Sequence, residues 1–481
     1  MIISTSTRYR FIIQTIIVLI TGLVSCQSKS SDPKMDAVMK LAIHYLNTGK
    51  SDSLYQLMGE KSRKRISRSL FIDYSDHKLS KLRPFTNLTI IGHNDSVSIY
   101  KVYAKIPLRW YVSLDKNHKF DQFFFRPSEE RIVKAQALTD NKLHTRLDSV
   151  INKVVSDYIQ IQGNVGISTG IYYNGKSYFY NYGERKKGNK NLPDAHTIYE
   201  IGSITKTFTS TLLAIAVNQK KITPETPVTR FLPDSVAENG YLKNITFKEL
   251  ANHTSGLPRD PDNLTYKMTD LNQPVSDYQT KDMFSFLRHF KQTRTPGTKF
   301  EYSNLGAALL GVLLENIYHQ SYQELIGQYI IKPLGMNETM CSVDTSKFHN
   351  TAQGYDGLLY AVPFLNFVSY QSAGTIKSSA SDLINYAKAQ LFTADTTLNK
   401  AVQLTHQITF NDKFNTFGLG WYYLQGYPDI IQHSGGTVGY SSNISINLHK
   451  KIIVVVLTNN VTNGDAVGAN LIKAIQAIKI E

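Results

Sequence analysis

Apolar residues recur at helical spacing early in the chain and alternate with polar residues soon afterwards. Residues 35–48, MDAVMKLAIHYLNT, carry apolar side chains three and four positions apart, which predicts an amphipathic helix. Residues 54–66, LYQLMGEKSRKRI, predict a second helix with a basic side. Residues 88–106 and 108–125 instead alternate polar and apolar positions around turn residues, which predicts paired strands. Together these elements predict a small α+β accessory domain over residues 35–127.

The remainder of the chain has predicted strands near both of its ends and helices and loops in its middle. The alternating residues 165–183 contain Asn174-Gly175, a strong signal for a two-residue hairpin turn. Residues 443–459 predict two further strands, and residues 469–480 predict a closing helix. Strands from the two ends are therefore expected to come together in one sheet.

The length and composition favour two globular domains joined by a short linker. The chain has 481 residues, which is long for a single domain, and 42% of them are hydrophobic, as in folded proteins. We expect the linker at residues 128–141 and the larger domain at residues 142–481. The net charge of +15 comes from scattered lysines and arginines without a nucleic-acid recognition motif. This favours a solvated basic surface and no nucleic-acid partner.

The N-terminus has the pattern of a secretory signal. Two arginines precede the apolar stretch FIIQTIIVLITGLV, which is short for a membrane span, and the sequence Leu-Val-Ser-Cys ends at Cys26. This end resembles a bacterial lipobox, in which the cysteine is acylated and becomes the new N-terminus. Cys341 is the other cysteine of the chain, and a lipid explains Cys26 better than a disulfide. We expect a signal peptide at residues 1–25, a polar tether at 26–34 and a lipid anchor in the bacterial cell envelope; an uncleaved anchor is the alternative.

The stretch IGSITKTF places Ser203 three positions before Lys206, where an apolar helix begins. Residues three apart share one helix face, so the two side chains can touch. A lysine at the mouth of a buried helix favours its neutral form, which makes it a possible base. The amide N–H of a serine at the helix start is free to face an oxyanion. The alternative is that Ser203 caps the helix and Lys206 lies at the surface.

Further motifs decide between these interpretations. Residues 296–306, PGTKFEYSNLG, contain a Tyr-x-Asn triplet at Tyr302 and Asn304, and His-Ser-Gly-Gly occupies residues 433–436. Between and around them lie ITFKELANHTSGLP, KPLGMNET and SAGTIKSSASDL. In this order the motifs resemble those of the serine β-lactamase and penicillin-binding-protein superfamily, in its class C β-lactamase and D-alanyl-D-alanine carboxypeptidase branch. The resemblance runs from about Leu143 to the C-terminus, whereas residues 35–127 only loosely resemble the cone-shaped fold of nuclear transport factor type.

The resemblance implies a fold and a set of site residues. It implies an α/β/α sandwich, with an antiparallel sheet flanked by helices and the active site between the sheet and a helical region. Ser203 is the expected nucleophile, Lys206 its proton partner and Tyr302 the group that relays protons to the leaving group, with cationic Lys206 beside it. Asn304 is expected to donate a hydrogen bond to Lys206 or to a substrate amide. Which of Lys206 and Tyr302 takes the serine proton stays open.

The resemblance places the oxyanion hole at the amide N–H groups of Ser203 and Gly436, the latter on an edge strand. It also exposes a departure, since the family's Lys-Thr-Gly is replaced by His433, Ser434 and Gly435. A neutral imidazole attracts a substrate carboxylate weakly, and we expect it to gain charge as the pH falls toward about 6.5. His253, in NHTSGLP, is expected to shape the site and not to act as a base.

These observations predict a serine hydrolase that forms an acyl-enzyme. Its substrate is expected to be a small molecule or peptide: a D-amino-acid peptide, an ester or a β-lactam. No metal or organic cofactor is implied, because the sequence has no zinc-type ligand spacing. The alternative is a catalytically idle envelope-binding or penicillin-sensing protein of the same fold, and the oligomeric state stays open.

Overall fold

The structure is a computed structural model in which two compact units are distinguished, one ending at residue 128 and the other formed by most of the later chain. The predicted signal peptide, Cys26 and most of the predicted tether lie outside the described residues. Within the described part, no helix has both the length and the apolar character needed to cross a membrane. The structure describes residues 32–94, 96–128, 137–264, 268–344, 349–392 and 396–478.

The first unit consists of short helices followed by a four-stranded antiparallel meander in the order β1-β2-β3-β4. The first helix starts where the Asp32 side chain accepts from the Lys34 amide, and it ends before Gly49 in the left-handed conformation. A π-helical turn, Ser75–Leu79, and a 3₁₀ turn, Ser80–Leu82, precede the sheet. The elements are α1 Pro33–Thr48, α2 Ser51–Gln56, α3 Glu60–Arg63, α4 Arg68–Tyr74, β1 Thr86–Asn94, β2 Val97–Tyr103, β3 Pro107–Leu114 and β4 Phe120–Pro127.

The paired strands of this unit follow the prediction, but the helix predicted over residues 54–66 is wrong. The chain leaves the helical path between α2 and α3 because β4 takes up its backbone groups. The Phe120 amide donates to Leu57 O at 2.8 Å, and the Gly59 amide donates to Phe120 O at 2.9 Å. Tertiary hydrogen bonds therefore override the local helical pattern.

The second unit contains an eight-stranded antiparallel sheet together with helices on both of its faces. It also contains the 3₁₀ turns Gly202–Ile204, Val228–Phe231 and Gly240–Leu242 and the π-helical turn Gly327–Ile331. Its elements are α5 Arg146–Ile159, β5 Gly166–Tyr173, β6 Lys176–Gly183, β7 Tyr199–Glu200, α6 Thr205–Asn218, α7 Asp234–Ala237, α8 Phe247–Ala251, α9 Thr280–His289, α10 Asn304–Tyr318, α11 Tyr322–Ile326, β8 Gly354–Tyr355, β9 Ala361–Val362, α12 Gln371–Gly374, β10 Lys377–Ser378, α13 Ala380–Leu391, α14 Thr397–His406, β11 Phe410–Asn411, β12 Thr416–Phe417, β13 Tyr422–Leu424, β14 Tyr427–Gly436, β15 Ser441–Asn447, β16 Ile452–Thr458 and α15 Gly464–Gln476.

Strands from both ends of this unit meet in the sheet, as the sequence predicts. The order is β11-β12-β13-β14-β15-β16-β5-β6, so β16, near the C-terminus, pairs with β5. Asn174 and Gly175 both have positive φ, 48° and 79°, in the tight turn between β5 and β6. Helices α5 and α15 pack together and α15 contacts β15 and β16, whereas α13 packs on β16 and β5. This α+β architecture, with an antiparallel sheet flanked by helices, confirms the predicted fold class.

Candidate active site

Ser203 lies in a tight turn between a strand and a buried helix. Strand β7 leads into the 3₁₀ turn Gly202–Ile204, after which α6 begins at Thr205. Gly202 has φ +50°, and a Cβ on it would come within 2.6 Å of the Gly436 amide nitrogen. Glycine is therefore required where this turn approaches β14. The turn brings the Ser203 backbone next to Gly436, the second predicted oxyanion donor.

Lys206 is held by three oxygen atoms around its amino group. Its side chain is 3% exposed, and Nζ lies 3.0 Å from Ser203 Oγ. Nζ also donates to Asn304 Oδ1 at 3.0 Å and to the Ala373 carbonyl at 2.7 Å. Both of these oxygens only accept hydrogen bonds, so they take the two N–H groups of a neutral amine. In a neutral amine the remaining lone pair would face the Ser203 hydroxyl, whereas a protonated amine donates to it.

The surroundings of Lys206 favour that neutral form. Burial lowers its pKa well below the usual value of 10.5, and the charge of Arg259 lowers it further. The carboxylate of Asp260 opposes both effects. A buried amine beside a fixed cation gives up its proton readily, which suits Lys206 to take the serine proton.

Tyr302 retains its proton in this site. Burial raises the pKa of its phenol to about 12, against the opposing charge of Arg259, and its buried hydroxyl makes no hydrogen bond with the described residues. Lys206 Nζ lies 5.0 Å from the centre of the ring, and the guanidinium carbon of Arg259 lies 4.9 Å from it. Both basic side chains therefore lie beside Tyr302, and Arg259 is the one whose charge lowers the pKa of its phenol. A protonated phenol is suited to donate a proton to a leaving group.

Asn304 accepts from Lys206, which corrects the prediction that it donates. Its amide nitrogen is directed elsewhere, toward Asp260 Oδ1 at 3.2 Å and Oδ2 at 3.5 Å. The backbone N–H of Asn304 also donates to the Arg259 carbonyl at 2.8 Å, which joins the start of α10 to this loop. A carboxylate accepts only, so it fixes which side of the Asn304 amide faces Lys206.

Three residues of the site were missed by the sequence analysis: Arg259, Asp260 and Tyr422. Arg259 and Asp260 directly follow the HTSGLP stretch, and a charged pair in that place is a signal that could have found them. Tyr422 stacks on His433 with ring centres 4.7 Å apart. No local pattern marks Tyr422.

His253 supports Tyr302. Its ring lies 4.3 Å from the Tyr302 ring, and its Nδ1 accepts from the Ser303 amide at 3.2 Å. Burial lowers the pKa of His253 well below 6.5, and nearby cationic groups lower it further. These contacts suit the shaping role expected for His253.

His433 is fully buried on β14. Its Nδ1–H donates to the Ser434 carbonyl at 2.7 Å, since a carbonyl only accepts. Burial lowers the pKa of His433 to about 3, and Lys206 contributes to the same shift. The expectation that His433 gains charge near pH 6.5 is therefore wrong, and no substrate carboxylate is drawn to it by such a charge.

The strand that carries Ser434, Gly435 and Gly436 is internal to the sheet, which corrects its placement at an edge. β14 pairs along its length with β15, but its pairing with β13 ends at Gln432. The last residues of β14 therefore extend beyond β13 and approach the Ser203 turn. A Cβ on Gly435 would collide with the Ile201 carbonyl, and Ser434 Oγ accepts from Asn443 at 3.2 Å.

Across the described segments, no group of three or more histidine, cysteine, aspartate or glutamate side chains could hold a metal ion. Cys341 is buried, and burial raises the pKa of its thiol to about 12. This thiol is unsuited to act as a nucleophile.

Known proteins share both the sequence and the fold of the second unit. A β-lactamase from Pseudomonas fluorescens is 30% identical over 309 residues, which cover 64% of this chain and 82% of that protein. The D-alanyl-D-alanine-carboxypeptidase/endopeptidase AmpH of Escherichia coli (strain K12) is 26% identical over 337 residues, 66% of this chain and 84% of AmpH. The solved structure of a class C β-lactamase matches with a TM-score of 0.62 and 23% identity, over 71% of this chain and 99% of its own. That of a β-lactamase/D-alanine carboxypeptidase from Pseudomonas syringae matches with a TM-score of 0.61 and 23% identity, over 70% and 100%.

These structural matches give the second unit the class C β-lactamase fold. The sequence profile of the Beta-lactamase family matches residues 151–477. The chain therefore belongs to the Beta-lactamase family, whose members include β-lactamases and D-alanyl-D-alanine carboxypeptidases. The family predicted from the motifs is confirmed.

Proposed function

We propose that the protein is a serine hydrolase that cleaves an amide or an ester through an acyl-enzyme. The observation that carries the proposal is the 3.0 Å contact between Lys206 Nζ and Ser203 Oγ, in a site where burial lowers the pKa of the lysine. An unprotonated amine at this distance can take the hydroxyl proton as the serine attacks. Membership of a family of β-lactamases and carboxypeptidases supports the same reaction type.

In the proposed acylation, Ser203 Oγ attacks the substrate carbonyl and Lys206 takes its proton. The amide N–H groups of Ser203 and Gly436 stabilise the oxyanion, and one such donor is typically worth ~3 kcal/mol. Tyr302 donates its proton to the leaving nitrogen or oxygen as the carbon–heteroatom bond breaks, and it regains a proton from Lys206. Water then attacks the acyl-serine ester, which releases the acid and returns the proton to Ser203.

The proposed substrates are a D-amino-acid peptide, a simple ester or a β-lactam. The names of the relatives support the first and the last, since one is a β-lactamase and another a D-alanyl-D-alanine carboxypeptidase/endopeptidase. The buried, neutral imidazole of His433 stands where class C β-lactamases carry a cationic lysine. We therefore expect slower turnover of cephalosporins than of peptides or esters.

The test is the intact mass of the protein after incubation with benzylpenicillin, a D-Ala-D-Ala peptide and a short ester. We expect a covalent adduct that disappears in Ser203→Ala. Ser149→Ala, which removes an exposed serine from α5, is the control and should keep the adduct. Failure of the wild-type protein to form an adduct or to turn over any of the three would favour the catalytically idle binding protein.

We further propose that the protein is exported and anchored to a membrane of the bacterial cell envelope through a lipid on Cys26. The support is the sequence pattern alone: basic residues, an apolar stretch and a lipobox-like Leu-Val-Ser before Cys26. Cys26→Ala should move the protein from the membrane fraction to a soluble or unprocessed form. Unchanged fractionation, together with a wild-type N-terminus that carries no acyl mass, would refute the anchor.

A further inference from the structure

Four hairpin turns of the eight-stranded sheet lie at the end of the sheet opposite the reactive groups. The antiparallel pairing brings together the turns at residues 174–175, 412–415, 425–426 and 448–451. Strand β14 runs from this end to Gly436, which lies beside the Ser203 turn at the other end. Helices α13 and α15 also finish near the turns, because a lysine in the last turn of each helix contacts an aromatic ring there. We call the four turns and the side chains that adjoin them the turn end.

Exposed aromatic side chains are concentrated at the turn end. Phe414, in the turn between β11 and β12, is 69% exposed. Phe392, directly after α13, is 39% exposed, and Tyr427, the first residue of β14, is 37% exposed. In the described part of the second unit, Tyr241 is the other large aromatic residue that is exposed to a comparable extent. Aromatic rings gathered on one exposed surface indicate that the surface contacts a partner or a membrane.

Lysines lie over these rings and make the turn end positively charged. The Nζ atoms are 5.4, 5.7 and 5.3 Å from the ring centres in the pairs Lys413–Phe414, Lys451–Phe392 and Lys473–Tyr427. The turns and the adjoining helix ends carry two aspartates, Asp412 and Asp429, and six lysines: Lys176, Lys388, Lys413, Lys450, Lys451 and Lys473. Asp412 is engaged within its own turn, where its carboxylate accepts from the Phe414 and Asn415 amides. The excess of lysines therefore favours an anionic partner.

We propose that the turn end binds the surface of an anionic lipid bilayer. Each lysine near such a surface strengthens binding about fivefold, and the attraction brings the aromatic rings to the headgroup region, where such side chains are favoured. A soluble polyanion would use the lysines but gain little from exposed phenylalanines, so the rings favour a bilayer. Ser203 and Gly436 then lie at the end of the sheet directed away from the lipid. The inference concerns a surface outside the active site and holds whether or not the protein is a hydrolase.

The test follows a fluorescent probe on the full chain. The environment-sensitive dye NBD is attached to Phe414→Cys in a Cys26→Ser background, because the remaining cysteine, Cys341, is buried. The apolar N-terminal stretch should bring the chain to any vesicle, so the probe reports the contact made by the turn end. Its emission should shift to the blue with vesicles of equal parts phosphatidylglycerol and phosphatidylcholine, and much less with phosphatidylcholine alone. Salt at about 1 M, where charges are screened beyond about 3 Å, should reduce the shift.

A probe at the opposite end of the sheet is the matched control. Lys186 is exposed in the loop that follows β6, and NBD on Lys186→Cys should respond equally to the two kinds of vesicle. If residues 414 and 186 respond alike to phosphatidylglycerol, the turn end is not the contact surface and the proposal is overturned.

Two triple variants of equal net charge test the lysines. In the first, glutamine replaces three lysines of the turn end: Lys413, Lys451 and Lys473. In the second, glutamine replaces three exposed lysines of the loop after β6: Lys186, Lys187 and Lys190. The first variant should lose most of the phosphatidylglycerol-dependent shift at residue 414, and the second should keep it. An unchanged shift in the first variant would overturn the proposal.

A lipid-free measurement separates a bilayer from a soluble polyanion. Inorganic polyphosphate alone should leave the emission of the probe at residue 414 unshifted, because it offers no apolar environment. A blue shift with polyphosphate as large as that with phosphatidylglycerol vesicles would assign the turn end to a soluble polyanion and contradict the lipid proposal.

Discussion

The hydrogen bonding of Lys206 depends on Asp260, although the two side chains are not hydrogen-bonded to each other. Asn304 offers its carbonyl oxygen to Lys206 because its amide nitrogen is turned toward Asp260. If the amide were reversed, an NH₂ group would face the amine, and the lone pair of Lys206 would be drawn away from Ser203. Asp260 therefore acts as a positioning residue for the base through Asn304.

We predict that Asp260→Ala lowers the rate of acylation about tenfold or more, since it frees the Asn304 amide and removes a charge-assisted hydrogen bond. Asp260→Asn keeps an acceptor for Asn304 but removes the charge, so it should lower the rate much less. The negative charge of Asp260 raises the pKa of Lys206. Its loss lowers that pKa, so the base stays neutral to lower pH. The acidic limb of the kcat/KM profile of Asp260→Asn should move to lower pH.

Stopped-flow acylation by a chromogenic penicillin or thioester across the pH range gives both quantities. Asp262→Asn, an exposed acid two residues away, serves as the control and should leave the limb in place. An acidic limb that stays fixed in Asp260→Asn, or moves upward, would contradict the assigned role of Asp260.

The sequence predicts contacts within one turn of helix better than contacts across the fold. Ser203 and Lys206 meet because three helical positions define their geometry. Asn304 and Asp260 are 44 residues apart, and only the backbone path of two loops brings them together. The alternating pattern of residues around His433 indicates which side chains share a face of the strand. It does not indicate that Tyr422, on the neighbouring strand, stacks on the His433 ring.

At the scale of elements, the site depends on how closely a turn approaches a strand. The Gly202–Ile204 turn contacts the end of β14, and Ser442 Oγ on β15 donates to the Ile201 carbonyl at 2.9 Å. The two predicted oxyanion donors come from these two elements. Any side chain at Gly202 separates them.

We predict that Gly202→Ala lowers the free energy of unfolding of the second unit by about 3 kcal/mol, because positive φ and a backbone clash act together. Activity should fall with it as Gly436 is displaced. Gly175→Ala is the matched control: Gly175 also has positive φ, but an added Cβ meets nothing within 4 Å. Gly175→Ala should lower the free energy of unfolding by about 1 kcal/mol and leave kcat unchanged.

Denaturant unfolding can follow the second unit alone. The chain has two tryptophans, so Trp421 reports on this unit in a Trp110→Phe background. Equal destabilisation by the two glycine substitutions would show that the close approach of Gly202 and Gly436 contributes nothing.

Elements with strong local signals are predicted well from the sequence. Asn174-Gly175 gives the hairpin between β5 and β6, and the alternating pattern of residues 88–106 gives β1 and β2. The interruption between α2 and α3, at residues 57–59, is marked in the sequence by a single helix-breaking residue, Gly59. It forms because Phe120, more than 60 residues later, exchanges hydrogen bonds with that segment.

At the scale of the whole molecule, the second unit begins a few residues before residue 142. Its first residues lie within the segment assigned to the linker from the sequence. Residues 138–141 bond to β6: the Gly183 amide donates to Leu138 O at 2.8 Å, and the Asn181 amide donates to Asp140 Oδ1 at 2.8 Å. Asn141 Nδ2 donates to the Tyr182 hydroxyl at 2.7 Å. This segment therefore belongs to the sheet of the second unit.

We predict that a fragment of residues 137–481 folds and hydrolyses its substrates within about twofold of the full chain, since Ser203, Lys206 and Tyr302 all lie in this unit. A fragment of residues 142–481 should be less stable by about 2–4 kcal/mol, because it lacks several hydrogen bonds worth about 1 kcal/mol each. Denaturant unfolding and kcat/KM of the two fragments check this. If residues 137–481 fold but lose activity, residues 35–127 complete the site or bind substrate. If the two fragments are equally stable, the segment from 138 to 141 contributes nothing to the fold.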